Sequence, residues 1–428
     1  MNKYIKENAK YILRSYPFIQ RYVRQVESLY KMDSEELKAY KEQRFLRIFR
    51  KAFQKSSFYH QLYTDAGIQI DDIQTIDDIV KLPIVTKEMI REHPEHLLTC
   101  PRWQVIAAHT SGTTGTPLTV FESWPSIWRE QAYNVVYRRK CGFNQGSDRL
   151  ASMRGHLDRN SISMKVNVSK TLYLSSYATN AHNIKLFVSK LKEYDPSAIE
   201  GYPSTLFNFC LLLRENGLNI HVPIIFTSSE SLGIPQREFI EETLQGQLFD
   251  HYGNTERTIS ISERKEHDGY YEQPGYSINE YETDHIITTS LINSAFPLIR
   301  YKVEDVLTLN KGLYDKPLSP IVHHIDGRTM NYIIGKDGTR YNAAALTYLA
   351  KAIPNILIVQ LVQDTVGYLK VNVIPHNKDL TETERTEAEK AINTIIGLDN
   401  MDYSLNIIRS EQLIYTKSNK LSLIVNQI

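Results

Sequence analysis

The chain has 428 residues, 42% hydrophobic and 23% charged, an ordinary globular balance with length for two or three domains. Its formal net charge is +1, so no global field argues for nucleic acid or another polyanionic partner. Cys100, Cys141 and Cys210 lack CxxC spacing, which argues against a disulfide framework and a cysteine-rich zinc site.

Residues 1–20 alternate charged and apolar side chains without a signal-peptide core. No apolar run reaches the roughly 20 residues that span a bilayer. The expectation is a cytoplasmic protein without a transmembrane segment. The first 55 residues are rich in Lys and Arg with Tyr and Phe interleaved, a pattern open to peripheral membrane contact. Helices that pack an apolar face on the main body explain it better. Residues 34–56 read as such a helix, with Leu37, Tyr40, Phe45, Ile48, Phe49 and Phe53 near helical spacing. A second helix face runs through Trp124, Ile127, Trp128, Ala132, Val135 and Val136, with Tyr133 and Tyr137 at i, i+4 on another face.

Further helices are predicted over 184–194, 204–216 and 235–245. The short apolar runs Ile224-Ile225-Phe226 and Gln247-Leu248-Phe249 read as buried strands. Strands alternating with helices argue for an α/β sheet system, in which polar loops at the carboxyl ends of strands bind ligands. Thr227–Glu230 and Asp250–Glu256 sit at two such ends. From Asp326 the texture changes. A hairpin at 332–338, a helix near 343–352, strands over 355–362 and 368–374 across a Gly367 turn, and a charged helix over 381–396 make a separate α+β domain.

The most chemically informative stretch is His109-Thr110-Ser111-Gly112-Thr113-Thr114-Gly115-Thr116-Pro117, between extended segments at 104–108 and 118–121. Its glycines allow close approach of the main chain to a ligand, and its hydroxyls and N–H groups suit phosphate oxygens. A P-loop would place Lys after the second glycine, and here Thr116-Pro117 follows. Alone, the stretch also fits a polar hairpin turn.

Order along the chain separates these readings. After this loop come Glu200-Gly201-Tyr202-Pro203-Ser204, Thr227-Ser228-Ser229-Glu230, Asp250-His251-Tyr252-Gly253-Asn254-Thr255-Glu256, Arg300-Tyr301-Lys302-Val303-Glu304-Asp305, Gly327-Arg328 and Lys417-Ser418-Asn419-Lys420. With Lys81–Lys87 before it, that series resembles the adenylate-forming superfamily of acyl- and aryl-CoA ligases. The nearest branch is that of phenylacetate–CoA ligases and capsule-biosynthesis proteins of the CapK type.

The resemblance implies an α/β fold with a large N-terminal ATP- and acyl-binding domain over 1–325, helical to about residue 80. A small mobile α+β lid over 326–428 would follow. It implies ATP, Mg2+ and a small-molecule carboxylic acid, with coenzyme A or a carrier as acceptor. Thr110, Ser111, Gly112, Thr113, Thr114 and Gly115 would hold the triphosphate, and Glu256 would bind magnesium. Ser229, Glu230, Tyr252, Gly253 and Thr255 would border the nucleotide, and Asp305 would accept from the ribose hydroxyls. Arg328 would sit near the ribose or phosphates, and Lys420 would stabilise the transition state as a point charge on a long stem. Tyr133, Tyr137, Tyr202 and Pro203 are candidates for the acyl pocket, or equally for core.

Each residue alone has a structural alternative. Glu256 could cap a helix starting near Arg257, Asp305 could belong to a solvated turn, and Lys420 could be surface charge. Arg300 is read as support, paired with Glu304 or Asp305. Departures from the family pattern are Lys302-Val303-Glu304 in the ribose motif, Thr329-Met330-Asn331 where the hinge carries acids, and Asn419 where Gly precedes the lysine. They keep open a second reading, a catalytically impaired nucleotide- or acyl-binding protein that serves as an interaction partner.

Overall fold

A computed structural model describes residues 8, 11–14, 18–109, 118–153, 157, 161–283, 285–310, 320–328, 332–342, 353, 355–377, 379–396, 400–415, 421 and 423–428. Contacts divide the chain into two compact units. One contains Met1–Ser147, His251–Glu304 and Thr308–His324; the other contains Asp148–Asp250, Asp305–Leu307 and Ile325–Ile428.

In the first unit, the predicted helix at 34–56 spans Ser34–Lys55. Asp33 opens it as a reciprocal cap, accepting from the Glu35 and Glu36 N–H groups at 2.9 Å while Glu36 accepts from the Asp33 N–H at 3.1 Å. Leu37, Phe45, Ile48, Phe49 and Ala52 are buried along its inner face. Tyr63, from helix Ser57–Asp65, packs with its ring tilted and centred 5.4 Å from that of Phe49. Helix Gln20–Leu29 buries Tyr22, Val23, Val26 and Leu29 in one cluster with Ala132, Tyr133 and Val136 of helix Trp124–Lys140. The apolar side of this basic, aromatic segment is therefore spent on internal packing.

Strands Val105–His109 and Thr119–Ser123 pair antiparallel, from Val105↔Ser123 to His109↔Thr119, so the glycine- and hydroxyl-rich loop joins two paired strands. Residues 110–117 themselves lie outside the described residues. A three-stranded antiparallel sheet, Ser277–Tyr281, Ile286–Ser290 and Tyr301–Val303, completes the surroundings of the motifs in this unit.

In the second unit, Leu150–Met153 is flanked in parallel by Ala198–Gly201 and Thr171–Leu174, with Ile224–Ser228 beyond Ala198–Gly201. Parallel neighbours need crossovers, which helices Ile184–Tyr194, Pro203–Glu215 and Ile234–Leu244 supply in the register the sequence predicts. Leu150–Met153 and Ala198–Gly201 are buried at every residue, as expected for strands covered on both faces. One contact admits only glycine: a Cβ at Gly246 would lie 2.0 Å from the Val222 carbonyl oxygen.

The α+β segment belongs to this same unit. Ile356–Thr365 and Tyr368–Pro375 form its antiparallel centre, turning at Gly367 with φ +75°, and Asp402–Ile407 and Ile424–Asn426 flank them in parallel. Val359, Leu361, Leu369, Val371 and Val373 meet Ala388 and Ile392 of helix Glu382–Ile396. Leu357, Ile358, Ile374, Ile408 and Leu413 join the cluster that holds Phe239 and Leu244. The helix predicted near 343–352 and the altered hinge at 329–331 lie outside the described residues.

Candidate active site

Strand Gln247–Gly253 runs directly into the Asp250–Glu256 motif, and most motif residues after Asp250 are held in the first unit by a specific contact or tight fit. His251 Nε2 lies 3.0 Å from Ser260 Oγ, and its ring lies 5.8 Å from that of Tyr137. Tyr252 is buried. Gly253 has little room for a side chain, since a Cβ would meet His251 Cε1 at 3.1 Å and the Ile259 oxygen at 3.3 Å. Asn254 closes the turn on Thr258, accepting from its N–H at 2.9 Å and donating to its hydroxyl at 2.7 Å. Thr255 is exposed at the tip.

Glu256 does not cap a helix. Arg257 adopts φ +55° and the chain turns into strand Ser260–Glu263, which overturns the capping alternative. The Glu256 carboxylate is partly exposed and accepts a long hydrogen bond, 3.4 Å, from the Tyr301 hydroxyl. Burial, reinforced by the neighbouring negative charge of Glu256, pushes the Tyr301 hydroxyl far above its usual pKa and keeps it a donor. Arg257 in turn forms a 2.8 Å ion pair with Glu122 on strand Thr119–Ser123, the strand that leaves the glycine-rich loop.

Arg300 serves as support, with a different partner from the one the sequence suggests. Its guanidinium meets the Glu280 carboxylate through both Nε and Nη2, at 3.0 and 2.6 Å, and donates to the Val80 and Leu82 carbonyls. Neighbours in sequence point elsewhere because Arg300 itself sits at φ +47°. Tyr133 is a core residue: it is buried, donates to the Pro274 carbonyl at 2.9 Å and packs edge-on against Tyr276.

The second unit carries the other motifs. At the carboxyl end of strand Ile224–Ser228, Thr227 donates to buried Asp250 at 2.5 Å. Ser229 follows at φ +71°, a left-handed conformation uncommon for a residue with a Cβ. Glu230 then accepts from the Ser204 N–H at 2.9 Å, satisfying one of the donors that helix Pro203–Glu215 would leave open. Pro203 is the buried first residue of that helix and Tyr202, half-buried, its N-cap. Burial and the nearby Glu230 charge raise the pKa of Tyr415. Asp305 is half-buried at the start of strand Asp305–Leu309, and Arg328 ends strand Pro320–Arg328. Lys420 lies outside the described residues.

The structure thus brings Glu256 to Tyr301, and Glu230 to Ser204, pairings between separate motifs. Tyr301, Glu122, Arg257 and Asp250 are the supporting residues that motif reading passes over. Tyr301 lies inside a quoted motif, but its partner is 45 residues away. The donor set suits magnesium: a partly exposed carboxylate offers the hard oxygen this ion takes alongside nucleotide phosphates. Among the described residues no group of three or more His, Cys, Asp or Glu gathers that would suit an all-protein metal cage.

No family model matches the chain. Protein CapK of Staphylococcus aureus is 23% identical over 355 residues, which cover 78% of this chain and 78% of that protein. Phenylacetate-coenzyme A ligase of Pseudomonas putida is 23% identical over 285 residues, 61% of this chain and 64% of that enzyme. The chain is thus similar in sequence to CapK and to phenylacetate-coenzyme A ligases, as the order of its motifs leads one to expect. Its fold is that of 2-hydroxyisobutyryl-CoA ligase. A crystal structure of 2-hydroxyisobutyryl-CoA ligase in the postadenylation state, in complex with R3-HIB-AMP, matches with a TM-score of 0.70 at 17% identity, over 92% of this chain and 90% of that one. An open conformation of the same ligase with 2-HIB-AMP and CoA matches with a TM-score of 0.58.

Proposed function

We propose that this chain is a member of the adenylate-forming phenylacetate–CoA ligase and CapK-like family and an AMP-forming acid–thiol ligase. One carboxylate oxygen of the acid attacks the α-phosphorus of ATP, the bond to the β-phosphate oxygen breaks, and pyrophosphate leaves. The acyl group of the adenylate then passes to a coenzyme A thiol or another acceptor, with AMP released. Two anions meet in the first step, so donors and cations placed beforehand carry the catalysis. Thr110 to Gly115 would cradle the triphosphate, and Ser229, Glu230, Tyr252, Gly253 and Thr255 would border the nucleotide. Asp305 would hold the ribose, and Arg328 and Lys420 would meet charge on the phosphates. Magnesium held by Glu256 would neutralise the leaving pyrophosphate, and the Tyr301 hydroxyl would orient that carboxylate.

The observation that carries this reading is the ordered motif series within a chain similar to CapK over 78% of both lengths. The resemblance of the motifs to capsule-biosynthesis proteins supports a role in modifying a cell-surface polysaccharide, and the similarity to phenylacetate-coenzyme A ligases supports an aryl or acyl acid. Free cysteines, two of them buried, support a reducing compartment such as the cytoplasm. Residues 326–428 would serve as the lid that delivers Lys420.

ATP–pyrophosphate exchange with magnesium and pooled aryl, fatty and amino acids tests the reading. Acid-dependent exchange that disappears in Lys420→Ala, with folding intact, is the expected result. Thr329-Met330-Asn331 and Asn419 favour the impaired-catalyst alternative, for which the outcome is ATP binding with no exchange in any pool. Exchange undiminished in Lys420→Ala would remove that lysine from the mechanism.

A further inference from the structure

A pocket of about 540 Å3 opens within the first unit, between the C-terminal half of helix Ser34–Lys55 and the chain at Thr99. Its volume falls in the range, roughly 300–1,000 Å3, of small-molecule sites. Arg47, Arg50, Lys51 and Lys55 line it, and Gln43 and Gln54 add amides. No carboxylate is present among the described lining residues, and none of them belongs to the motifs read as the adenylation site.

A solvated helix face mixes its charges, and the first half of this helix does so. Lys38 pairs with Asp77 at 2.9 Å and Lys41 with Glu272 at 3.5 Å. Glu42, the last acid of the helix, accepts from the Ile76 N–H at 2.9 Å. Residues 43–55 then hold five Lys and Arg and no Asp or Glu. Arg44 donates to the Leu291 carbonyl at 2.6 Å, and the other four line the pocket. Arg47 and Arg50 lie i, i+3, and Lys51 lies i+4 from Arg47 and four before Lys55, spacings at which like charges destabilise a helix. Attraction of cations to the carboxyl end of the helix accounts for Lys55, in the last turn, and not for the arginines one and two turns earlier.

Arg47, Arg50 and Lys55 are exposed and make no hydrogen bond or ion pair with the described residues. Lys51 is half-buried and donates to the Ser294 carbonyl at 3.2 Å; burial lowers its pKa, and only the Cys100 thiol opposes that shift. An ammonium taken partly out of water with no carboxylate beside it is stabilised by an anion. Two guanidinium forks suit paired oxygens, and four cations without an acid suit a ligand of several negative charges. Phosphoryl groups concentrate such charge on few atoms.

We propose that this pocket binds a ligand bearing phosphoryl groups, held by Arg47 and Arg50 with Lys51 and Lys55 as point charges. The site is separate from the adenylation reading and does not rest on it.

Titration calorimetry on the full chain with fructose 1,6-bisphosphate and with citrate tests it, beside sedimentation with vesicles of phosphatidylcholine alone or in equimolar mixture with phosphatidylglycerol. The expected result is binding to the bisphosphate, to the anionic vesicles or to both, weaker binding to citrate and none to phosphatidylcholine alone. Binding to the bisphosphate identifies a soluble ligand, and binding to the anionic vesicles only identifies a lipid headgroup. Arg47→Gln and Arg50→Gln should each weaken binding by about tenfold. Lys38→Gln, which removes the same unit of charge from the same helix outside the pocket, should weaken it by less than about twofold. Both arginines are exposed among like charges, so their variants fold and melt no lower than the parent. Absence of binding to both phosphate sources, citrate bound as tightly as the bisphosphate, or equal losses in Lys38→Gln and the arginine variants overturns the proposal. A parallel loss of ATP affinity in Arg47→Gln also overturns it, by making the pocket part of the nucleotide site. Protein that binds the bisphosphate and not ATP keeps the pocket and loses only the nucleotide assignment.

Discussion

Truncating Glu122 to alanine should destabilise the protein through the cation it leaves behind. Glu122 is 7% exposed, and the Arg257 side chain with which it pairs at 2.8 Å is 14% exposed. Burial raises the Glu122 pKa, and the attraction of Arg257 only partly offsets it. Desolvation thus outweighs attraction, and the pair is worth little against an apolar pair of the same volume. Removing one partner is different, because the guanidinium stays in place without a counter-charge. Such losses run to about 3–5 kcal/mol. Arg257 keeps some water contact, so the lower end, about 3 kcal/mol, applies to Glu122→Ala. For a unit of this size that is a fall in melting temperature of roughly 6–12 °C. Urea unfolding and thermal melts of Glu122→Ala, and of Glu122→Leu with Arg257→Met, give the comparison. The single variant should lose about 3 kcal/mol and the apolar pair should stay within about 1 kcal/mol of the parent. A single variant within about 1 kcal/mol of the parent, or a double variant as unstable as the single, would refute the reasoning.

Glu230→Ala should cost about 1 kcal/mol by opening the first turn of helix Pro203–Glu215, and Glu230→Gln should recover most of it, as read in urea midpoints. Equal losses in both variants would show that charge, not the hydrogen bond to Ser204, matters. Tyr59, Tyr63 and Tyr276 all have raised pKa values, chiefly from burial. Above their ordinary value near 10 the unfolded chain sheds protons that the folded chain retains, so their contribution is intact below pH 10 and lost as pH rises beyond it. Tyrosinate absorbance from these rings should appear together with loss of near-ultraviolet dichroism; their titration near pH 10 in folded protein would contradict the assignment. Gly246→Ala should cost more than about 2 kcal/mol, since the added methyl meets backbone and not a side chain able to move; an unchanged melting curve would mean the Val222–Gly246 approach is looser than described.

Much of the architecture is legible because the signals are local. The helix at Ser34–Lys55 has a reciprocal cap and an apolar stripe of period near 3.6, and both are written in consecutive residues. Helices Ile184–Tyr194 and Pro203–Glu215 alternate with fully buried strands in the way a parallel sheet requires. The turn at Gly367 is equally plain, since its φ of +75° is one that glycine adopts without strain. What the sequence does not announce is the covering of the strand at Ile356–Thr365. Its run of eight buried residues reflects two covered faces, one on helix Glu382–Ile396 and one in the cluster around Phe239 and Leu244. A mostly apolar run, interrupted by Gln360 and closed by Gln363, predicts two-sided burial but not what does the covering.

The candidate site divides along the same line. Motif order is readable from the chain, while the partners that hold each motif are set by contacts between distant segments. Arg300 illustrates the failure. Glu304 and Asp305 are its acidic neighbours in sequence, yet a left-handed backbone at Arg300 turns its guanidinium to Glu280 and two carbonyls. Ser229 poses the converse case: φ +71° at a residue with a Cβ is a cost no local preference explains, immediately after a strand end and before Glu230. Thr227 tied to Asp250 on one side and Glu230 tied to Ser204 on the other fix both ends of that turn, so the surrounding structure can hold Ser229 in it. Strain kept in this way is what a ligand-binding turn needs, because backbone groups already in place lose nothing further to ordering when the ligand arrives. Ser229→Gly should then raise stability by relieving the backbone and weaken nucleotide binding by loosening the turn. Equal or tighter ATP affinity in that variant, measured by calorimetry, would separate the strain from the function.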